Sequence, residues 1–216
     1  MAQTIKVATI VVSYNPYKSG FFPHCLEYIK KVTLSNHQYQ IDQKVIIVDS
    51  HSGDNTPELV REQYPEFDLI ASQTNLGYAG GNNAGFKKAL EWGAEYIAVV
   101  TQDVYVKEDW LFRAIEVAQK DTTIGIVQPL LLLYPQRDLI NSTGNATHFL
   151  GYGYARDYQK PLSTYAETEP QEVPYASGAA LVLNAKALRD VGFFDDEMWM
   201  YNEDQDLGWR MWLKGY

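Results

Sequence analysis

Apolar positions along the chain fall into runs of strand length that alternate with stretches at helical spacing. Ile5–Val12 is an apolar, β-branched run ending in Ser13-Tyr14-Asn15-Pro16, which predicts a buried strand followed by a loop. Between Gly20 and Val32 the apolar residues Phe22, Leu26, Ile29 and Val32 keep helical spacing. Val45–Val48 predicts a second short strand, closed by Asp49. Thr56-Pro57-Glu58 reads as an N-cap, a first-turn proline and an acidic first turn. That helix carries Leu59, Val60 and Tyr64 and stops before Pro65. Phe67–Ala71 predicts a third strand. Ala79–Trp92 reads as a helix with Phe86, Ala89 and Leu90 inward and Gly93 as its stop. Tyr96–Val100 predicts a fourth strand, Glu108–Gln119 a helix and Ile124–Leu133 a further strand.

This alternation predicts an α/β fold with a mostly parallel, Rossmann-like sheet and helices on both faces. Ligands of such sheets bind beyond the carboxyl ends of the strands. Tyr14, Asn75, Asp49 and Asp103 follow predicted strands and should converge on one crevice. The regularity lapses from Asn141 to Pro174, where Gly, Tyr, Asp and Pro suggest a hairpin or loop excursion, polar over Tyr158–Glu172. A strand over Val173–Leu183, a short helix over Ala185–Val191 and a last helix over Asp204–Leu213 complete the reading.

Composition narrows the class. With 216 residues, 46% hydrophobic and 21% charged, the chain can bury the core of one sizeable domain. A formal charge of −9 argues against nucleic acid or an anionic membrane as partner, since both attract a basic footprint. Cys25 is the single cysteine, so no internal disulfide and no cysteine-built zinc site can form, and a reducing compartment fits. Met1 to Lys6 is polar and lacks the apolar core of a signal peptide, and no run approaches the roughly 20 apolar residues of a membrane span. The sequons at Asn141 and Asn145 therefore read as chance matches.

Four segments could carry chemistry. Asp49, before the small polar turn Ser50-His51-Ser52-Gly53-Asp54, could accept the imide N–H of a uracil or thymine ring, or simply satisfy turn amides. Asn75-Leu76-Gly77-Tyr78-Ala79-Gly80-Gly81-Asn82-Asn83-Ala84-Gly85 opens a helix whose free N–H groups would face phosphate or sugar oxygens. The alternative for these glycines is a tight turn with close helix packing. Asp103, in Thr101-Gln102-Asp103, could hold Mg²⁺ or Mn²⁺ against a pyrophosphate, or stand as an exposed loop carboxylate. Glu203 and Asp204 open the last helix behind the aromatic approach Trp199-Met200-Tyr201, and its dipole favours an ionised base there. Asp206 and Arg210 read as an i,i+4 surface pair.

Taken in order, these segments resemble the large inverting GT-A glycosyltransferase family, often called family 2, and its rhamnosyltransferase-like members in particular. The matching stretches are Thr9–Asn15, Val48–Asp54, Asn75–Gly85, and Ser177–Ala180 running through Val191–Asp195 to Glu203–Leu207. The resemblance implies a single GT-A domain over 1–216, with a nucleotide-sugar-binding half at 1–105 and an acceptor-binding, catalytic half at 106–216. It implies that Ser13, Tyr14 and Asp49 line the base pocket. Asn75, Gly77 and Asn82 would lie beside ribose and pyrophosphate, with Gln102 and Asp103 on the donor. Asp103 would match the last residue of the family's D-x-D metal motif, Asp204 would be the base with Glu203 beside it, and Trp199 and Tyr201 would form an acceptor platform. The implied reaction moves a sugar from dTDP-rhamnose or a UDP-sugar to a hydroxyl of a saccharide or lipid-linked saccharide, with inversion, in surface polysaccharide synthesis. The implied setting is the cytoplasm or the inner face of a membrane.

Two departures qualify the match. Thr101 stands where the first D-x-D carboxylate would be, and the chain ends at Tyr216, before the position of a further metal-ligating histidine. An end directly after a helix is expected of a truncated chain or one domain of a longer protein. A catalytically impaired nucleotide-sugar-binding domain is the competing reading. A nucleotidyltransferase fits badly, because the first loop, Ser13 to Lys18, is not the glycine- and arginine-rich loop of that class.

Overall fold

A computed structural model describes residues 3–36, 39–166 and 169–216. The start of the polar N-terminus, Met1 and Ala2, and part of the polar stretch before Glu172, Glu167 and Thr168, lie outside them. The element order is β1 (Gln3–Ser13), α1 (Phe21–Lys30), β2 (Tyr39–Asp49), α2 (Thr56–Gln63), β3 (Asp68–Ala71), α3 (Gly77–Trp92), β4 (Tyr96–Val100) and α4 (Trp110–Ala118). The short strands β5 (Ile126–Val127), β6 (Leu131–Leu132), β7 (Ile140–Ser142), β8 (Asn145–Thr147) and β9 (Gly153–Ala155) come next. The chain then forms β10 (Ala180–Asn184), α5 (Ala185–Val191) and α6 (Glu203–Lys214).

The main sheet has the order β3-β2-β1-β4-β10-β5. Its first four strands are parallel, with β1 in register against β2 from Gln3↔Tyr39 to Ser13↔Asp49. β10 runs antiparallel to β4, pairing Ala180 with Val100. The start of β10 therefore lies at the same sheet edge as the carboxyl ends of β1, β2 and β4, which puts the residues before Ala180 beside those after Val100.

Strand alternation divides the core in two. Val7 and Val11 face one side with Phe22, Leu26, Val60, Leu111 and Ile115 of α1, α2 and α4. Ala8 and Ile10 face the other side with Phe86, Leu188, Leu207 and Met211 of α3, α5 and α6. Burying each large apolar side chain contributes about 1.5–3 kcal/mol. Helix α3 lies unusually close to β1. A Cβ at Gly81 would stand 2.6 Å from Val12 Cγ1, and one at Gly85 would stand 2.6 Å from Ile10 Cγ2. The glycine-rich run thus has a packing reason, whatever else it does.

Several expectations need correction. The run Ile124–Leu133 is not one strand: β5 belongs to the main sheet and β6 pairs with β7 in a separate ribbon. Pro129, which cannot donate to a ladder, sits in the break. The strand expected over Val173–Leu183 begins only at Ala180. The N-cap of α2 is Asn55, in a left-handed conformation with no side-chain cap, and Thr56 is the first helical residue. The excursion after Asn141 contains the β8–β9 hairpin, and Asn145 is buried there as the acceptor of the Ser142 hydroxyl at 2.8 Å.

Asp206 and Arg210 form more than a surface pair. The Arg210 guanidinium is bound by Asp206 Oδ2 at 2.6 and 2.8 Å and also donates to the carbonyls of Val191, Gly192 and Phe193. Both side chains are about seven-tenths buried, and the arginine clamps the exit of α5 to α6.

Gly85→Val should destabilise the fold by about 2–3 kcal/mol through overpacking against Ile10. Urea unfolding measures it, and an unchanged midpoint would show that α3 does not need this close seat.

Candidate active site

The loops after β1, β2 and β4 are tied to one another by hydrogen bonds. Tyr14 N–H donates to Gln102 Oε1 at 3.1 Å. Asn15 N–H donates to Ser52 Oγ at 2.8 Å, and Gly53 N–H returns a bond to Asn15 Oδ1 at 2.8 Å. Asp49 is 1% exposed at the end of β2, and its Oδ2 accepts the Ser52 N–H at 3.0 Å. Its Oδ1 is buried without a partner, as are Ser13 Oγ, Ser50 Oγ and Asn82 Oδ1. Buried polar atoms are rarely left unpaired, so a cluster of them at strand ends marks a place for a polar ligand or water. One oxygen of Asp49 thus satisfies the turn, and the other is a buried acceptor without a partner among the described residues.

The helix-start expectation does not survive. Trp199 carbonyl accepts the N–H groups of Tyr78 at 2.8 Å and Ala79 at 3.1 Å, and Asn75 Oδ1 accepts Gly77 N–H at 2.9 Å. The first turn of α3 is thus capped by the chain itself and does not offer these amides to phosphate. Gly77, at φ 66°, is required here, because a Cβ would lie 2.5 Å from both the ring and the carbonyl of Trp199. Asn82 donates to Tyr78 carbonyl at 2.9 Å. Asn83, which the sequence reading left without a role, bonds both the N–H and the C=O of Phe194 at 3.1 and 2.8 Å. Trp199 and Tyr201 are 50% and 77% exposed on the loop that leads into Glu203. That loop has positive φ at Trp199, Tyr201 and Asn202.

The segment Ser177–Ala179 joins the remaining parts. Thr101 N–H donates to Ala179 carbonyl at 2.9 Å, which holds the loop carrying Asp103. Gly178 N–H donates to Asp204 Oδ2 at 2.9 Å, and Gly178 carbonyl accepts the Tyr78 hydroxyl. Gln128 Oε1 accepts Ser177 N–H at 2.6 Å. Asp103 is exposed, with Thr101 Oγ1 donating to its Oδ1 at 2.8 Å. Sequence reasoning missed Tyr78, Gln128 and the Gly178 amide, because their partners lie far away along the chain.

The acidic pair differs in its two members. Glu203 is 5% exposed and its Oε2 is buried without a partner. Burial, reinforced by the Asp204 charge, pushes its carboxyl up to about 7. Burial also raises Asp204, against the opposing pull of the Gly178 and Gln205 amides. Asp204 accepts from Gln205 N–H at 2.8 Å and stays partly exposed.

Among the described residues, no group of three or more His, Cys, Asp or Glu is placed to hold a metal ion. Mg²⁺ commonly takes only one or two carboxylates and completes its shell with substrate phosphates and water. Exposed Asp103 fits that shared mode and not an all-protein cage.

A mostly parallel sheet with an antiparallel β10, polar groups gathered at its strand ends and a carboxylate after β4 is the arrangement of a GT-A fold. Comparison with known sequences agrees: the model of "Glycosyl transferase family 2" matches residues 9–192. The chain belongs to glycosyl transferase family 2. It is 26% identical to N-acetylglucosaminyl-diphospho-decaprenol L-rhamnosyltransferase of Mycobacterium tuberculosis, over 96% of this chain and 72% of that protein. It is 25% identical to poly-beta-1,6-N-acetyl-D-glucosamine synthase of Staphylococcus epidermidis, over 81% of this chain and 40% of that one. Among solved structures it is similar to a mannosyltransferase from Pyrobaculum calidifontis in complex with GDP-Man and Mn²⁺, with a TM-score of 0.66 and 20% identity. That match covers 97% of this chain and 52% of the solved one, so the chain spans about half of that structure. The acidic pair at Glu203 and Asp204 lies beyond the span that the family model matches.

The Glu203 carboxyl links folding to pH. An acid whose native pKa is raised from 4.5 to about 7 keeps its proton in the fold and loses it on unfolding across that window. The unfolded chain then binds fewer protons, so stability falls as pH rises, by roughly 3 kcal/mol in all. Glu203→Gln should remove this slope and be the more stable protein above pH 7. Chemical denaturation at pH 5 and pH 8 checks it, and parallel losses in both proteins would contradict the burial assignment.

Proposed function

We propose that this domain transfers a glycosyl group from a nucleoside-diphosphate sugar to a hydroxyl of a saccharide acceptor, by one displacement that inverts the anomeric carbon. The observation that carries the reading is the Ser177–Ala179 segment, which ties the Asp103 loop to the Asp204 carboxylate. A donor phosphate site and a base are thereby linked through one short stretch of backbone.

In this reading Asp49, Ser13 and Tyr14 receive the base. Gln102 and Asp103 stand at the pyrophosphate, and Asn75, Gly77 and Asn82 shape the donor side of α3. Asp204 takes the proton of the acceptor hydroxyl as its oxygen attacks C1, and the bond from C1 to the β-phosphate oxygen breaks with its electron pair. A positioned base supplies about 10²–10⁴-fold in rate. Glu203, protonated up to about pH 7, donates or accepts a hydrogen bond beside it without competing for the same proton. Trp199 and Tyr201 offer aromatic faces to the acceptor sugar. A divalent cation held by Asp103 would neutralise charge on the leaving diphosphate. The Mn²⁺ in the similar mannosyltransferase structure supports Mg²⁺ or Mn²⁺ in that place.

Rhamnose as the donor sugar and a lipid-linked saccharide as acceptor follow the Mycobacterium tuberculosis relative, and the proposed role in surface polysaccharide synthesis is supported by the polysaccharide named for the Staphylococcus epidermidis relative. Among the described residues no helix is long and apolar enough to cross a membrane. The inner membrane face is the place proposed for meeting a lipid-linked acceptor. One observation favours a donor-binding domain without turnover: Thr101 replaces a carboxylate and its hydroxyl engages Asp103.

Asp204→Asn should cut transfer by at least about 10²-fold while leaving the donor dissociation constant within about twofold. Wild-type turnover in that variant would refute the base assignment, and absence of transfer in the unmodified protein with Mn²⁺ would favour the binding-only reading. Asp103→Asn should weaken donor binding only when Mn²⁺ is present. Calorimetry with and without the ion measures this, and identical titrations for both proteins remove Asp103 from the metal.

A further inference from the structure

Tyr78 lies in the glycine-rich run, yet none of the roles above uses its side chain. Its ring packs on Phe194 at 6.1 Å between centroids, inside the core beneath α3. Its hydroxyl leaves that core and donates to the carbonyl of Gly178. The other face of the same residue, the Gly178 N–H, holds Asp204 Oδ2 at 2.9 Å. Glycine has the least constrained backbone of any residue, so an amide at Gly178 keeps its aim only if something pins it. Gln128 fixes the preceding residue and Thr101 the following one. Tyr78 fixes Gly178 itself, and a Cβ at that position would stand 2.9 Å from the hydroxyl.

We propose that Tyr78 is a positioning residue for the general base: its hydroxyl pins Gly178, and the Gly178 amide in turn aims the Asp204 carboxylate at the acceptor hydroxyl. This rests on the reading of Asp204 as base. Burial, then the charges of Glu203 and Asp204, hold the Tyr78 phenol well above its ordinary range, so it remains a donor throughout the working pH. The groups that face Asp204 are Glu203 on its own helix, Tyr78 from α3 and Tyr175 from the segment before β10. Tyr175 is pushed up to about 12 by burial and by Asp204, whereas the Glu203 carboxyl is pushed up to about 7.

The test is Tyr78→Phe, which keeps the ring and removes the hydroxyl. Loss of one buried hydrogen bond that aims a base should lower kcat about tenfold, with donor KM and donor binding unchanged within about twofold. Because the Gly178 amide favours ionised Asp204, loosening it should move the acid limb of the kcat profile to higher pH. The profile is taken in the Glu203→Gln background as well, so that the limb belongs to Asp204. Gly178→Ala, which forces the hydroxyl away, should give the same kcat-selective loss and serves as the second variant if Tyr78→Phe folds poorly. Adding Tyr78→Phe to Asp204→Asn should cost nothing further. A folded Tyr78→Phe with full kcat and an unshifted limb, beside an inactive Asp204→Asn, overturns the role of Tyr78 alone. Wild-type turnover in Asp204→Asn overturns the base assignment and this proposal with it.

Discussion

A short piece of irregular backbone, Ser177–Ala179, bears the geometry of the whole site. It accepts Thr101 N–H through Ala179, gives Gly178 N–H to Asp204, receives the Tyr78 hydroxyl and donates Ser177 N–H to Gln128. Each partner comes from a different part of the chain: the end of β4, the start of α6, the start of α3 and the stretch after β5. Because the segment enters β10 antiparallel to β4, it must cross the sheet edge where the parallel strands end. That topology brings residues of the second half of the sequence onto the loops of the first. A Cβ at 178 would stand 2.9 Å from the tyrosine hydroxyl and displace it.

Helix α3 adds a second constraint of the same kind. Gly81 and Gly85 let it settle onto Val12 and Ile10, and Gly77 leaves room for Trp199. Trp199 then uses its carbonyl to cap the helix, while Asn83 holds Phe194 on both sides of its peptide backbone. The glycine-rich run therefore serves close packing and a docking seat for the loop before Glu203. Anion binding by the first-turn amides is excluded in this arrangement, because Trp199 and Asn75 have taken them.

The sequence made the sheet and its helices legible where the signal is local. β-branched runs bounded by polar turns mark β1 and β4, and helical spacing marks α1 and α3, because each pattern is set by which face of one element meets the core. Tyr14, Asn75, Asp49 and Asp103 could be proposed together because strand ends of an α/β sheet share one edge, and Asp204, on a helix, joined them through the family resemblance. What escaped was non-local. The cap on α3 comes from Trp199, more than a hundred positions away, and no propensity at Tyr78 announces it. The split of β5 from β6 depends on which sheet each can reach, and the burial of Arg210 depends on three carbonyls at the exit of α5. Period and composition carry no record of such partners.

The two carboxylates of α6 show how environment divides labour between neighbours. They share a helix start, whose dipole favours the ionised form of both. Glu203 turns inward, where desolvation outweighs the dipole and the carboxyl keeps its proton to about 7. Asp204 turns toward Gly178, where two backbone amides stabilise the anion against part of the burial penalty. A general base must be ionised, reachable and aimed. In the proposed role Asp204 is aimed by the hydrogen bond from Gly178 N–H, whereas the buried Oε2 of Glu203 has no partner among the described residues. Separate environments keep the two from ionising together in a confined space, since one negative charge opposes the other. The chemistry of the pair is thus decided less by the helix that carries both residues than by the backbone that only one of them touches.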